Sequence, residues 1–162
     1  MTASSTMVAS ATNQSLIRAE LWNRLVARVT KDLEFQQFFG DQDEAAQRHW
    51  AERIMEQTLG FLKVSAVIAD GTLSPSTKVD VGWHTFLMYT REYAGFCQQI
   101  AGRMIHHAPS DIPGVAFMPG GAARATAAML VNGMYVDQQL WENAAECGDN
   151  GACNSCCNGD ST

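Results

Sequence analysis

The sequence predicts an all-α fold, a compact bundle of four to five helices between a disordered N-terminal lead and a Cys-rich C-terminal tail. Two observations carry that expectation. Apolar residues recur at helical steps over long segments, and no segment alternates as a strand does for more than a few residues. A third concerns punctuation: clusters of Gly and Pro fall between the periodic segments, where turns belong.

The lead, residues 1–14, is mostly Ser, Thr and Ala with little to bury. From Ser15, which fits an N-cap, the residues Leu16, Ile17, Leu21, Trp22, Leu25, Val26 and Val29 form one apolar stripe with polar residues between them. Phe35, Phe38 and Phe39 follow, with a stop at Gly40. Asp43 then opens a second long helix through Trp50, Ile54, Met55, Leu59 and Leu62, extending towards Ala69. Asp70-Gly71 and Leu73-Ser74-Pro75-Ser76 break the pattern. A third helix is expected over 78–105, a Pro- and Gly-rich connection over 106–121 and a fourth helix over 122–145. The domain thus spans 15–146, and the tail 147–162 is too polar and Gly-rich to form a core.

Composition narrows the function. A chain of 162 residues with 46% hydrophobic side chains supports one core, and two full domains are not expected. A formal charge of -6 argues against a surface that tracks phosphates, so nucleic acid is not an expected partner. No apolar run approaches the ~20 residues of a membrane span. The longest candidate, 61–69, is interrupted by Lys63 and Ser65. Residues 1–13 lack the basic start and apolar centre of a secretory signal, which makes the cytoplasm the expected address.

The third helix carries the first candidate site. Trp83, Phe86, Leu87, Tyr93, Cys97, Ile100 and Met104 share one apolar arc, so this is expected to be the most buried helix and Cys97 a core residue. Asp80, His84 and Arg91 share the opposite stripe, followed by Gly95 and Gly102. A carboxylate one turn from an imidazole can ligate a metal beside it or hold its second nitrogen. Asp80 equally fits the third position of a capping box begun by Thr77. His106 and His107 lie at the far end of the same helix, about 30 Å along a straight axis, so a shared site with His84 requires a bend near Gly95 and Gly102 or a second molecule. Their plain reading is a helix C-terminus, where imidazolium meets free carbonyls before Pro109.

The tail carries the second. Five cysteines are an odd number, and Cys147, Cys153, Cys156 and Cys157 crowd the last stretch of the chain, with Cys-x-x-Cys next to a third thiol. Such thiolates select zinc, or Cu(I) at lower coordination, and His107 is a candidate helper. An unligated reducible tail is the alternative. Other chemistry finds no motif: there is no phosphate-binding Gly loop, no Gly-x-Ser-x-Gly elbow and no calcium-loop rhythm.

Phe61-Leu62, Leu73-Ser74-Pro75-Ser76, Val79-Asp80, Trp83-His84, Thr90, Tyr93, Phe96-Cys97, Gly102 and His106-His107-Ala108-Pro109 together resemble the bacterial glycine-rich domain-containing protein family, related to a module of plant glycine-rich domain proteins. The resemblance implies a small helical domain with Asp80, Trp83, His84, Tyr93, Cys97, His106 and His107 as the positions to test. It implies no reaction. RNA binding does not carry over, because this chain lacks the long Gly-rich region and is acidic.

The expected function is therefore a cytoplasmic metal-binding or regulatory protein, with zinc held by Cys147, Cys153, Cys156, Cys157 and His107. One alternative is an enzyme or small-molecule-binding module with a polar site at Asp80, His84 and Arg91, where His exchanges protons and Arg orients an anion. Another is a scaffold that binds a protein partner through exposed Trp and Met residues. Oligomeric state is left open.

Overall fold

A computed structural model describes residues 12–69, 71–108 and 119–142. Among these residues the fold is all-helical, as expected, with seven α-helices and no strand. The helix count exceeds the expectation because three of the long periodic segments are each cut into two.

The first cut is at the N-terminal end. Asn13–Leu16 forms a 3₁₀ turn, and α1 (Ala19–Val29) starts only after Arg18. Ser15 does not cap it; its hydroxyl donates to the Thr12 carbonyl at 2.9 Å. The Glu56 carboxylate, from a later helix, accepts the backbone N–H groups of Asn13 at 2.6 Å and Gln14 at 3.0 Å. A contact over some forty residues holds this turn, so the ordered domain begins before residue 15 and Asn13 is buried.

The next elements follow their caps. Asp32 accepts the N–H groups of Glu34 and Phe35 and starts α2 (Leu33–Phe39). Asp43 accepts Ala46 N–H at 2.8 Å and starts α3 (Glu44–Val67), which over 24 residues is about 36 Å long. This helix is the hub, packing against the 3₁₀ turn, α1, α4 (Thr77–Leu87), α5 (Thr90–Ala101) and α6 (Gly121–Val131). Its middle, from Gln57 to Leu62, is buried all round.

The second cut separates α4 from α5 at Met88 and Tyr89; Met88 is still right-handed helical, and Tyr89, at φ -93° and ψ 62°, leaves the helical region. α5 packs beside α4, with Trp83 bonded to Tyr93 and Phe86 against Tyr93 and Phe96. Gly102, at φ +64°, ends α5 in the left-handed conformation. His106 and His107 therefore do not sit on a helix terminus but on the irregular segment beyond it.

The third cut is at Asn132-Gly133. Met134 N–H bonds to Met129 O and Gly133 N–H to Leu130 O, with Gly133 at φ +70°, a Schellman closure that ends α6. A short α7 (Gln138–Trp141) follows. Leu130, Val131 and Tyr135 are exposed.

α7 fixes the position of α4. Ser76, not Thr77, caps α4: its hydroxyl oxygen accepts Val79 N–H at 3.2 Å and donates to Leu140 O at 2.6 Å. Asp80 thus lies one residue beyond the capping-box position, and its carboxylate is left for other partners. No helix among the described residues is long and apolar enough to cross a membrane.

Candidate metal centre

Two turns of α4 and the segment after α5 build the candidate site. Asp80 and His84 project from one face of α4, as their spacing predicts. The break at Met88 and Tyr89 and the reversal after Gly102 then return His107 to that face. The obstacle set by a straight helix disappears: the chain turns at the α4–α5 junction and again at Gly102, one of the two glycines expected to bend it, and stays helical at Gly95.

The three side chains converge atom by atom. His107 Nε2 lies 3.0 Å from Asp80 Oδ1 and 3.1 Å from His84 Nε2, and His84 Nε2 lies 3.5 Å from Asp80 Oδ2. Among the described residues, Asp80, His84 and His107 form the one set of three such side chains with ligand atoms within 4.8 Å of one another. A tetrahedral ion with bonds of about 2.0–2.1 Å needs donor atoms about 3.3 Å apart, and octahedral neighbours sit about 3.0 Å apart. The two contacts of His107 Nε2 fall in that range, and the 3.5 Å contact of His84 is to the other carboxylate oxygen, Oδ2.

Each neutral ring nitrogen has either one N–H or one lone pair, so which atom donates in the His107–Asp80 and His84–His107 contacts follows the tautomers, and both Nε2–H groups can point at the Asp80 carboxylate. A cation at the centre would use the lone pairs instead.

Burial is graded across the site. The His107 side chain is 17% exposed, Asp80 25% and His84 48%, so one side of the cluster faces water. The inner wall is Trp83, whose ring lies 4.5 Å from the His107 ring. Glu34, near the start of α2, lies within electrostatic reach of Asp80 and His84. Burial raises its carboxyl, the Asp32 and Asp80 carboxylates push the same way, and His84 opposes them.

The remaining predicted residues part company. Arg91 sits on α5, in a groove against α1 that also contains Arg18, Arg24 and Glu92, and the helix break removes it from the Asp80–His84 stripe. Cys97 is fully buried, as expected. Cys147, Cys153, Cys156 and Cys157 lie outside the described residues. His107, named from sequence as a candidate helper of that tail, lies with Asp80 and His84. Glu34 was not singled out from sequence, because nothing in its local pattern signals a neighbour some fifty residues away.

A family model described as UCP032817-like matches residues 22–116, more than half of the chain. The chain belongs to the UCP032817-like family. This corrects the resemblance to glycine-rich domain-containing proteins: the matching family is a different, uncharacterised one, and no glycine-rich domain family is shown. The motifs that suggested it have local causes here. Ser76 is a cap, Gly102 a helix terminator, and Trp83, His84 and His107 meet at one site. No curated protein and no solved structure gives a significant match. The segment matched to the UCP032817-like family includes Asp80, His84 and His107 and ends before the tail cysteines.

Proposed function

We propose that this UCP032817-like protein binds one divalent d-block cation through the Asp80 carboxylate and the Nε2 atoms of His84 and His107, with zinc as the first choice. The observation that carries the reading is the convergence of Asp80 Oδ1 and His84 Nε2 on His107 Nε2 at 3.0 and 3.1 Å, with the second Asp80 oxygen 3.5 Å from His84 Nε2. Two imidazoles and one carboxylate are borderline to hard ligands, suited to zinc and also to Fe(II). Three protein ligands with one face in water leave a coordination position for water or a small ligand. A bound cation would polarise that molecule. A cytoplasmic address is kept as part of the proposal, supported by the odd number of cysteines.

The test is metal stoichiometry by native mass spectrometry after chelation and reloading with Zn²⁺. One ion per chain is expected, retained when the four tail cysteines are changed to Ser and lost in the Asp80→Asn, His84→Ala and His107→Ala variants. Retention in all three site variants overturns the reading, and loss in the cysteine variant alone moves the ion to the tail.

A further inference from the structure

We infer that Tyr93 is a positioning residue for this centre, its single hydroxyl setting the placement of both imidazoles. The inference rests on the metal-binding reading. His107 lies on an irregular segment with no helical ladder to hold it, so side-chain contacts must fix the backbone there. The Tyr93 hydroxyl donates to the Ile105 carbonyl at 2.7 Å, two residues before His107. It accepts the Trp83 Nε1–H at 2.8 Å, one residue before His84. The Trp83 ring in turn packs on the His107 ring at 4.5 Å. One oxygen atom on α5 therefore ties α4 to the return segment immediately beside both ligands.

Core filling does not account for the hydroxyl. The Tyr93 ring is 1% exposed and meets Phe86 edge-on at 5.2 Å, a contact that phenylalanine makes equally well. The hydroxyl adds one donor and one acceptor at that depth, and both are used. Outer partners of this kind set ligand orientation in metal sites, and their loss typically weakens binding about 10–100-fold.

The probe is Co²⁺, whose visible absorption reports coordination number and symmetry, titrated into the chelated full-length protein and its variants. In Tyr93→Phe the ring is retained, and Co²⁺ affinity is expected to fall about 10–100-fold with bands shifted and weakened towards higher coordination. Glu56→Ala, which removes the carboxylate that accepts the Asn13 and Gln14 N–H groups at the N-terminal turn instead, should keep the wild-type spectrum. If Tyr93→Phe does not fold, Trp83→Phe carries the test, with weaker binding and an altered spectrum expected. Wild-type affinity and spectrum in the folded variant used overturn the inference while the metal reading stands. Unchanged Co²⁺ binding in His84→Ala and His107→Ala overturns the metal reading itself.

Discussion

His84 Nε2 and His107 Nε2 face each other at 3.1 Å, although 23 residues separate them in the chain. Two nitrogens at that distance compete for one proton or share one cation, and both outcomes depend on pH. Protons and a metal ion occupy the same lone pairs. Apparent Zn²⁺ affinity should therefore fall as pH is lowered from neutral, with protons displaced as the ion binds. Calorimetric titrations in buffers of different ionisation enthalpy count those protons. A count of zero as pH is lowered would show that imidazole nitrogens are not the ligands.

Glu34 should show opposite effects on stability and on metal binding. Its carboxyl is raised above the ordinary value of 4.5, chiefly by burial and then by Asp32 and Asp80. For a carboxyl raised in the folded state, the associated stabilisation is fully present below the unfolded value and is lost as pH rises through the folded one. At neutral pH the charged group is therefore a burden. Glu34→Gln should raise the melting temperature of the metal-free protein at pH 7, and the gain should vanish on acidification below about pH 4.5. The same variant should weaken Zn²⁺ binding by removing a nearby negative charge. A Tm gain that persists at low pH would assign the effect to packing.

The all-α class and the core face of α1 were legible because they rest on local periodicity, and Leu21, Trp22, Leu25, Val26 and Val29 are all buried as expected. The pairing of Asp80 with His84 was legible for the same reason. The third partner was not. Periodicity runs almost unbroken through Met88 and Tyr89, so the α4–α5 junction carries no Gly or Pro to announce it, and a straight helix would have kept His107 about 30 Å from His84 unless the chain bent. The 3₁₀ turn at Asn13–Leu16 was hidden similarly, since its N–H groups are satisfied by Glu56 from α3. In contrast, Asn132-Gly133 is a turn signal that the expected helix over 122–145 ran through.

Gly82 should resist a change that helix propensity favours. Alanine is better than glycine in a helix interior by about 1 kcal/mol. At Gly82, however, an added Cβ would collide with the Thr58 hydroxyl and crowd Ile54, where α4 crosses α3. Thr58 cannot easily yield, because its hydroxyl lies 2.9 Å from Ile54 O and 3.0 Å from Val79 O. Gly82→Ala is expected to destabilise by about 1–3 kcal/mol in urea unfolding. Because Val79 adjoins Asp80, Zn²⁺ affinity should fall too. A neutral or stabilising result would mean that the helices separate without cost.

Arg53 should matter more than a surface ion pair. Its guanidinium donates to both carboxylate oxygens of Asp137, at 2.6 and 2.8 Å, and stacks 3.8 Å over the Trp50 ring. Asp137 is buried, and its backbone N–H donates to Gln57, which also accepts the Trp141 indole N–H. Removing the cation leaves a carboxylate uncompensated at the point where the C-terminal segment joins α3. Arg53→Met, which preserves much of the stacking stem, should cost about 3–5 kcal/mol, whereas Arg53→Met with Asp137→Leu should recover most of it. Urea unfolding of the four proteins of that cycle measures the coupling. Because α7 bonds to the cap of α4 through Leu140 O and Ser76, the single variant should also loosen the Asp80 end of the metal centre. Additive costs in the cycle would show that the ion pair is solvated and that Arg53 and Asp137 are not coupled.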